Sequence, residues 1–367
     1  MACPTISSSS KQQRTIWMWK SNADPWENIE TEGWKRYEDI ENCMIESAFE
    51  QKKNQVELDD FWIDLKHQVQ INKQDSNKQT PIKRVTNMSD DKYVRERFTN
   101  QQSALTAKSF RGNFMATFLA NAGLWDVKIS DEWVEKAARG IEAEGEKLGR
   151  KTQAERIAIE LRKVKGKEEK EILGCCVKLY TIESFLYKLI NKIMTEAGIE
   201  DVFKGNYAFV SQKDESYART LGPYCCMLFQ YLCHEEAPKQ KNVTVFRSGN
   251  LTEEMIRDYK KNVGLRVLWE GFSSTTKNKE IALFYDGNTL FQIRIPSNPI
   301  CQCVEISSLS EYPDEEEILL SPGTGIMIEK VEYDSKIKKH VIHLGAEENW
   351  NDLLRRANGI DLTSDDK

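Results

Sequence analysis

Asp314-Glu315-Glu316-Glu317-Ile318-Leu319-Leu320 runs four consecutive acids straight into an apolar segment. A charged loop ahead of a strand gives such a run. A strand that presents carboxylates to a cleft gives it too, because side chains alternate along extended backbone. If 315–320 is extended, Glu315 and Glu317 point to one side and Glu316 to the other. Two carboxylates on one side suit chemistry at a sugar carbon, where cleavage leaves an oxocarbenium-like cation that a nearby carboxylate stabilises.

Two upstream segments bear on that choice. Val245-Phe246-Arg247-Ser248-Gly249 puts a cation at the end of a strand, followed by small residues that let a ligand approach the backbone. An arginine there either clamps phosphate oxygens bidentately or is an ordinary surface residue. Gly271-Phe272-Ser273-Ser274-Thr275-Thr276 is a hydroxyl-rich strand end. Its hydroxyls can orient a carboxylate or hold a ribose or amide; equally, the cluster can be a turn or a helix N-cap.

The rest of the chain supplies context. Its 367 residues are 40% hydrophobic and 30% charged, as in a soluble protein of two or three domains. No apolar run reaches the ~18–20 residues that span a bilayer, so no membrane partner is expected. A formal charge of −6 gives no reason to expect duplex DNA. The N-terminus lacks the basic and apolar regions of a secretion signal, so the expectation is an intracellular protein, cytoplasmic or nuclear and not secreted. Nine cysteines without a CxxC ladder read as reduced thiols, and four scattered histidines show no ligand spacing, so no metal is expected.

Texture divides the chain. Short alternating runs fill 14–85, with one helical stretch whose apolar residues fall at 40, 44, 45, 48 and 49. Helical spacing then prevails over 89–235, with helices expected at 104–124, 130–146, 179–194 and 224–234 and a solvated Lys/Arg/Glu-rich face over 153–172. Beyond Lys239 strands recur at 267–274, 290–295, 301–306, 316–320, 325–332 and 340–344, with helices at 252–261 and 279–284. A frayed tail is expected over 1–13 and a loose acidic end over the last twenty residues. The fold class is α+β.

Taken in order, Arg247, then Ser274-Thr275-Thr276, then Glu315-x-Glu317 resembles the R-S-E class of mono-ADP-ribosyltransferases of the arginine-specific type. Phe272-x-Ser274 ahead of a helix with Ala282 and Phe284 resembles that family too. So do Tyr312-Pro313-x-Glu315-x-Glu317-Ile318-Leu319 with Pro322-Gly323-Thr324, and Phe185-Leu186-Tyr187-x-x-Ile190-Asn191 upstream. The resemblance implies a transferase domain over 95–348, helical to about 238 and strand-rich over 240–347, with NAD as co-substrate. It implies that Arg247 binds the pyrophosphate or ribose of NAD, with Ser248, Gly249 and Thr275 beside it. Ser274 would bond the nicotinamide ribose or hold Glu317, which stabilises the cation as nicotinamide leaves. Glu315 would engage and deprotonate a protein arginine, with Tyr312 in acceptor recognition. Arg247-Ser248 departs from the family's Arg-Gly and Thr276 from its Ser-Thr-Ser. The His-x-Tyr pattern of polymerising relatives is absent, which implies transfer of a single unit. NAD hydrolysis, or a catalytically weak scaffold that reads ADP-ribose, remains the alternative.

Nine tryptophans include five within the first 62 residues, at 17, 19, 26, 34 and 62. Trp17-x-Trp19, Trp34-x-x-Tyr37, Ile45-Glu46-x-Ala48-Phe49, Val56-Glu57-Leu58, Ile63-Asp64-Leu65, Gln70-x-Asn72 and Ile82-Lys83-Arg84-Val85 together resemble a WWE domain over 11–88. That resemblance implies a half-barrel sheet on one helix, and ADP-ribosylated proteins or poly(ADP-ribose) as partners. Trp34, Tyr37, Phe61, Gln70, Lys83 and Arg84 are its candidate ligand residues, although Thr80 stands where a binding member can have Arg and Phe61 where it can have Tyr. Alternatively, the aromatic residues simply fill a small core.

Overall fold

Period-two alternation around Trp17 and 3.6-residue spacing after Asp39 each give the element they predict. A computed structural model describes residues 14–22, 24–26, 33–88, 114–122, 128–196, 211–299 and 301–347. The expected tail over 1–13, the loose end after 347 and the first part of the helix at 104–124 lie outside them. The described chain forms two compact units.

The first unit holds β1 (Arg14–Lys20), β2 (Trp34–Arg36), α1 (Asp39–Glu50), β3 (Gln55–Glu57), β4 (Phe61–Asp64), β5 (Val69–Asn72) and β6 (Gln79–Met88). Its strands make one antiparallel sheet in the order β2-β1-β6-β5-β4-β3. α1 packs on one face through Ile45 and Ala48, which meet Trp17, Tyr37, Leu58, Ile63 and Ile82 in the core. Trp17 is buried with its indole nitrogen satisfied, since Nε1 donates to Glu46 Oε2 at 2.7 Å. Arg84 donates to the same carboxylate at 2.9 Å and 2.5 Å. The indole and guanidinium hydrogen bonds outweigh partial burial and hold the Glu46 carboxyl below its ordinary range.

This unit is discontinuous in sequence, for Ile141–Glu160 and Ile182–Phe185 belong to it as well. The N-terminal amides of α4 (Lys151–Arg162) need acceptors, and Asp59 supplies them: Thr152 N donates to Oδ1 at 2.6 Å and Gln153 N to Oδ2 at 3.3 Å. Arg150 pairs with Asp60 at 2.6 Å. Asp39 and Glu183 exchange bonds, the Glu183 amide donating to Asp39 Oδ2 at 2.7 Å and the Asp39 amide to the Glu183 carbonyl at 3.2 Å.

The second unit takes in α2 (Phe114–Ala122), α5 (Glu169–Thr181) and α7 (Gln212–Cys233), with parts of α3 (Asp131–Lys147) and α6 (Phe185–Glu196). A sheet follows, built from β7 (Val243–Gly249), β8 (Arg266–Trp269), β9 (Ser273–Thr276), β10 (Thr289–Ile295), β11 (Cys303–Glu305), β12 (Glu317–Leu320), β13 (Thr324–Asp334) and β14 (Lys339–Ala346). Two short helices, α8 (Glu253–Lys261) and α9 (Lys279–Phe284), interrupt these strands. The eight strands run β11-β12-β9-β7-β10-β14-β13-β8, and only the β10–β14 pair is parallel. Met255, Ile256 and Tyr259 of α8 join Val245, Phe291, Ile318, Leu320 and Ile342 in its core.

Several expected helices are redrawn. The helix expected at 179–194 is two, since α5 stops at Thr181 and α6 begins at Phe185. The charged stretch at 153–172 also breaks, at Gly166, whose positive φ of 73° ends helical backbone. α7 starts at Gln212, well before the expected Tyr224, capped by Ser211 accepting from the Asp214 amide at 3.1 Å. Pro223 lies inside it. Proline ordinarily breaks a helix, which is why the sequence favours a start just after it.

Burial, and then the Glu38 carboxylate beside it, raises the carboxyl of Glu41 from 4.5 to about 7; Arg150 and the Gln153 amide oppose the shift. A carboxyl whose folded value is raised favours the folded state below its unfolded value, and that contribution is lost as pH rises through about 7. Glu41→Gln is therefore expected to flatten the fall in stability between pH 5 and pH 8 and to stabilise the chain at pH 8 by about 1–2 kcal/mol. Urea unfolding at both pH values checks this, and an unchanged slope would contradict it.

Candidate active site

β9 lies between β12 and β7, so the three segments singled out in the sequence occupy adjacent strands. Glu317 is opposite Thr276, Ile318 opposite Thr275 and Leu319 opposite Ser274. Directly opposed residues share a face, which puts Glu317, Thr276 and Ser274 on one side of the sheet. On the far side of β9, Phe246 pairs with Thr276, the single backbone pair between β7 and β9. Arg247 follows, 3% exposed, and its Nη1 donates to the Ser274 carbonyl at 2.6 Å. Thr275 Oγ1 donates to the Ile318 carbonyl at 2.7 Å and ties β9 to β12.

The acidic run is folded differently from the extended reading. Pro313–Glu315 is a 3-10 turn, Glu316 is left-handed with φ 46° and ψ 45°, and β12 begins only at Glu317. Alternation therefore does not relate the acids. The turn still buries Glu315 and Glu317 and leaves Glu316 exposed. Proline at the first turn position, with its fixed φ and missing N–H, favours this local winding. The turn closes with the Glu315 amide donating to the Tyr312 carbonyl at 3.2 Å and the Glu316 amide to the Pro313 carbonyl at 3.1 Å. Tyr312 itself is buried.

Whether this site suits NAD is tested by its buried polar groups. Ser274 Oγ is buried with no hydrogen-bond partner among the described residues. A buried hydroxyl in that state carries a desolvation cost that a ribose hydroxyl would remove. The guanidinium of Arg247 lies beside the same residue and suits a phosphate or ribose oxygen. The donor set therefore fits a dinucleotide. Ser248 is buried and its hydroxyl donates to the Tyr285 carbonyl at 3.2 Å, while Gly249 approaches Phe291 so closely that a Cβ would lie 2.7 Å from the ring.

Tyr285, directly after α9, is not among the residues that the sequence singles out. Its hydroxyl donates to Glu315 Oε1 at 3.0 Å, and both side chains are buried. An aromatic residue two places before Gly287 at the end of a short helix was the available signal, but nothing in its spacing points to a residue 30 positions later.

In the first unit the six candidate ligand residues separate. Register puts Lys83 opposite Met18 and Trp34 opposite Lys20, on one face, and Lys83 Nζ lies 4.1 Å from the centre of the Trp34 ring. Tyr37 donates to Gln70 Oε1 at 2.7 Å, a buried pair. Phe61 is half-buried against the core. Arg84, opposite Trp17, turns to Glu46 and away from Lys83.

The two histidines of the last strand serve structure: His343 Nε2 meets Glu332 Oε1 at 2.8 Å, and the His340 ring lies 5.0 Å from that of Tyr333. Among the described residues no cluster of three or more His, Cys, Asp or Glu is placed to hold a metal, and no helix is long and apolar enough to cross a membrane.

Comparison with known proteins gives two family matches. The family described as NAD:arginine ADP-ribosyltransferase matches residues 129–349, and the WWE domain matches residues 15–84. No curated protein matches the chain. Among solved structures, ADP-ribosyltransferase HopU1 of Pseudomonas syringae pv. Tomato DC3000 is 18% identical, with a TM-score of 0.38 over 67% of this chain and 100% of its own. The type III effector XopAI from Xanthomonas axonopodis pv. citri is 11% identical, with a TM-score of 0.41 over 68% and 96%. The C3 exoenzyme of Clostridium limosum is 13% identical, with a TM-score of 0.34 over 57% and 95%. Scores this low carry no weight beside the family match. With more than half of its length matched over the segment that contains Arg247, Ser274, Glu315 and Glu317, the chain belongs to the NAD:arginine ADP-ribosyltransferase family and carries an N-terminal WWE domain.

Proposed function

We propose that this NAD-dependent ADP-ribosyltransferase moves a single ADP-ribose to a protein arginine. The observation that carries this reading is the burial of Glu315 and Glu317, with Glu316 between them turned out, at the start of the strand that pairs with the one Arg247 bonds through the Ser274 carbonyl. In the reaction the bond from the nicotinamide nitrogen to C1′ of the ribose breaks, and nicotinamide leaves with the electron pair. Glu317 stabilises the cation that remains, while Arg247 holds the pyrophosphate or ribose and Ser274 the nicotinamide ribose. A guanidino nitrogen then bonds to C1′ and gives its proton to Glu315. Guanidinium is a poor nucleophile while fully protonated, so a carboxylate at the acceptor side has a chemical purpose. The lack of a His-x-Tyr pattern supports a single transfer.

For this site the test is incubation of the full chain with labelled NAD and agmatine. Labelled agmatine is expected, with Glu317→Ala lowering its formation by at least about 100-fold. Glu315→Gln is expected to lower transfer about 100-fold, to a rate still measurable, and to leave nicotinamide release intact. An intact protein that releases no nicotinamide with any acceptor overturns the reading.

The WWE domain is proposed to bind ADP-ribose or its polymer on the face that carries Trp34 and Lys83. Burial lowers the Lys83 ammonium below its ordinary range, and the neighbouring Lys20 charge adds to the effect. An anion on that face would relieve the repulsion. Calorimetry of the full chain with ADP-ribose and with poly(ADP-ribose) is expected to show binding that Lys83→Glu weakens about 10-fold or more. Arg84→Lys, which keeps a cation for Glu46 on the opposite face, is expected to leave affinity unchanged. Absence of heat from either ligand would leave no basis for the reader role.

A further inference from the structure

We infer that Tyr285 is a positioning residue for Glu315, one that serves acceptor transfer without serving NAD cleavage. The inference rests on the role given above to Glu315. Glu317 stands on the first rung of β12, with its backbone paired to Thr276. Glu315 belongs to a 3-10 turn outside any ladder, so its carboxylate depends on tertiary contacts for orientation. The Tyr285 hydroxyl supplies one at 3.0 Å, between side chains that are 2% and 6% exposed.

A positioning hydroxyl is useful only if its own backbone is fixed, and that of Tyr285 is held from two sides. Its carbonyl accepts from Ser248 Oγ at 3.2 Å, at the end of β7, and from Lys339 Nζ at 3.1 Å, at the start of β14. Lys339 donates to the Gly287 carbonyl as well. Gly287 lets the chain pass this close: a Cβ there would lie 2.4 Å from Ser248 Oγ and 2.6 Å from the Gly249 carbonyl oxygen. The arrangement gives Ser248 a purpose. It stands where the resembling pattern has glycine, and only a side chain at that position can reach the Tyr285 carbonyl. Ser248, Tyr285 and Glu315 thus form a chain from the NAD-side strand to the acceptor-side turn.

Proton transfer from the acceptor guanidinium requires the receiving oxygen within hydrogen-bond reach and in line. A hydrogen bond to a charged group is worth more than one between neutral groups, and losing its donor lets the carboxylate reorient. Nicotinamide departure makes no use of that oxygen.

Four full-length proteins decide the matter: the unaltered chain, Tyr285→Phe, Glu315→Gln and the double variant, each assayed for agmatine transfer and for nicotinamide release without acceptor. Tyr285→Phe is expected to lower kcat for transfer about 10-fold while KM for NAD and acceptor-free release stay within about twofold. In the Glu315→Gln background the same change is expected to cost nothing further, because a residue that acts through another cannot act without it. Lys339→Met, which loosens the Tyr285 backbone from a half-exposed position, is expected to reduce transfer about threefold by the same route. It serves as the test should Tyr285→Phe fail to fold. Equal losses of transfer and release, or an additive loss in the double variant, would overturn the inference. Failure of the underlying reading is a separate result, in which Glu315→Gln alone leaves transfer intact.

Discussion

The sheet of the transferase is joined across its middle by one backbone pair, Phe246 with Thr276. Backbone groups beyond a ladder's end still require partners when buried. Here side chains supply them. Arg247 Nη1 bonds the Ser274 carbonyl, and Thr276 Oγ1 accepts from the Asn278 amide at 3.1 Å as the chain turns into α9. The short ladder therefore leaves the Ser274 carbonyl to a buried guanidinium in the middle of the sheet. Burying a charge of this kind is costly unless it is paired and hydrogen-bonded. Glu317, on the other strand that flanks β9, is buried in the same sheet.

That constraint explains why the candidate site residues are legible in order but not in arrangement. Arg247, Ser274 and Glu317 could be named because each occupies a strand end or start, and strands announce themselves by composition. The turn over 313–315 could not, since a run of acids next to apolar residues fits extended and turning backbone alike. The expectation that Glu315 and Glu317 share a side of a strand gave the right pair of buried acids for the wrong geometrical reason. Tyr285 was invisible because its role depends on a contact between positions 285 and 315, which no local pattern encodes.

The helical region shows the same limit from another direction. Apolar spacing located α3 and the later part of α7, but not the stops after Thr181 and Arg162. The stop after Thr181 and the start of α4 go with distant partners rather than propensity. The residues between α5 and α6 carry Glu183, whose backbone exchanges hydrogen bonds with Asp39. The start of α4 is capped by Asp59, more than 90 positions earlier. A cap delivered by a distant aspartate does for a helix what a neighbouring one does, yet leaves no trace beside the helix in the sequence.

In the WWE domain, strand alternation decides what composition cannot. Lys83 and Arg84 are adjacent basic residues, and by charge alone either could meet an anionic ligand. Adjacent positions on a strand face opposite ways. The register that places Arg84 opposite Trp17 commits its guanidinium to the α1 side, where Glu46 already accepts from the Trp17 indole. Lys83 is left to the other face, over the Trp34 ring and near Lys20. Moving the register by one residue would exchange these assignments, exposing the indole's partner and burying the wrong cation. The Trp17–Glu46–Arg84 contact is thus a register lock as well as a core contact, and it determines which of two neighbouring charges stays on the face away from α1.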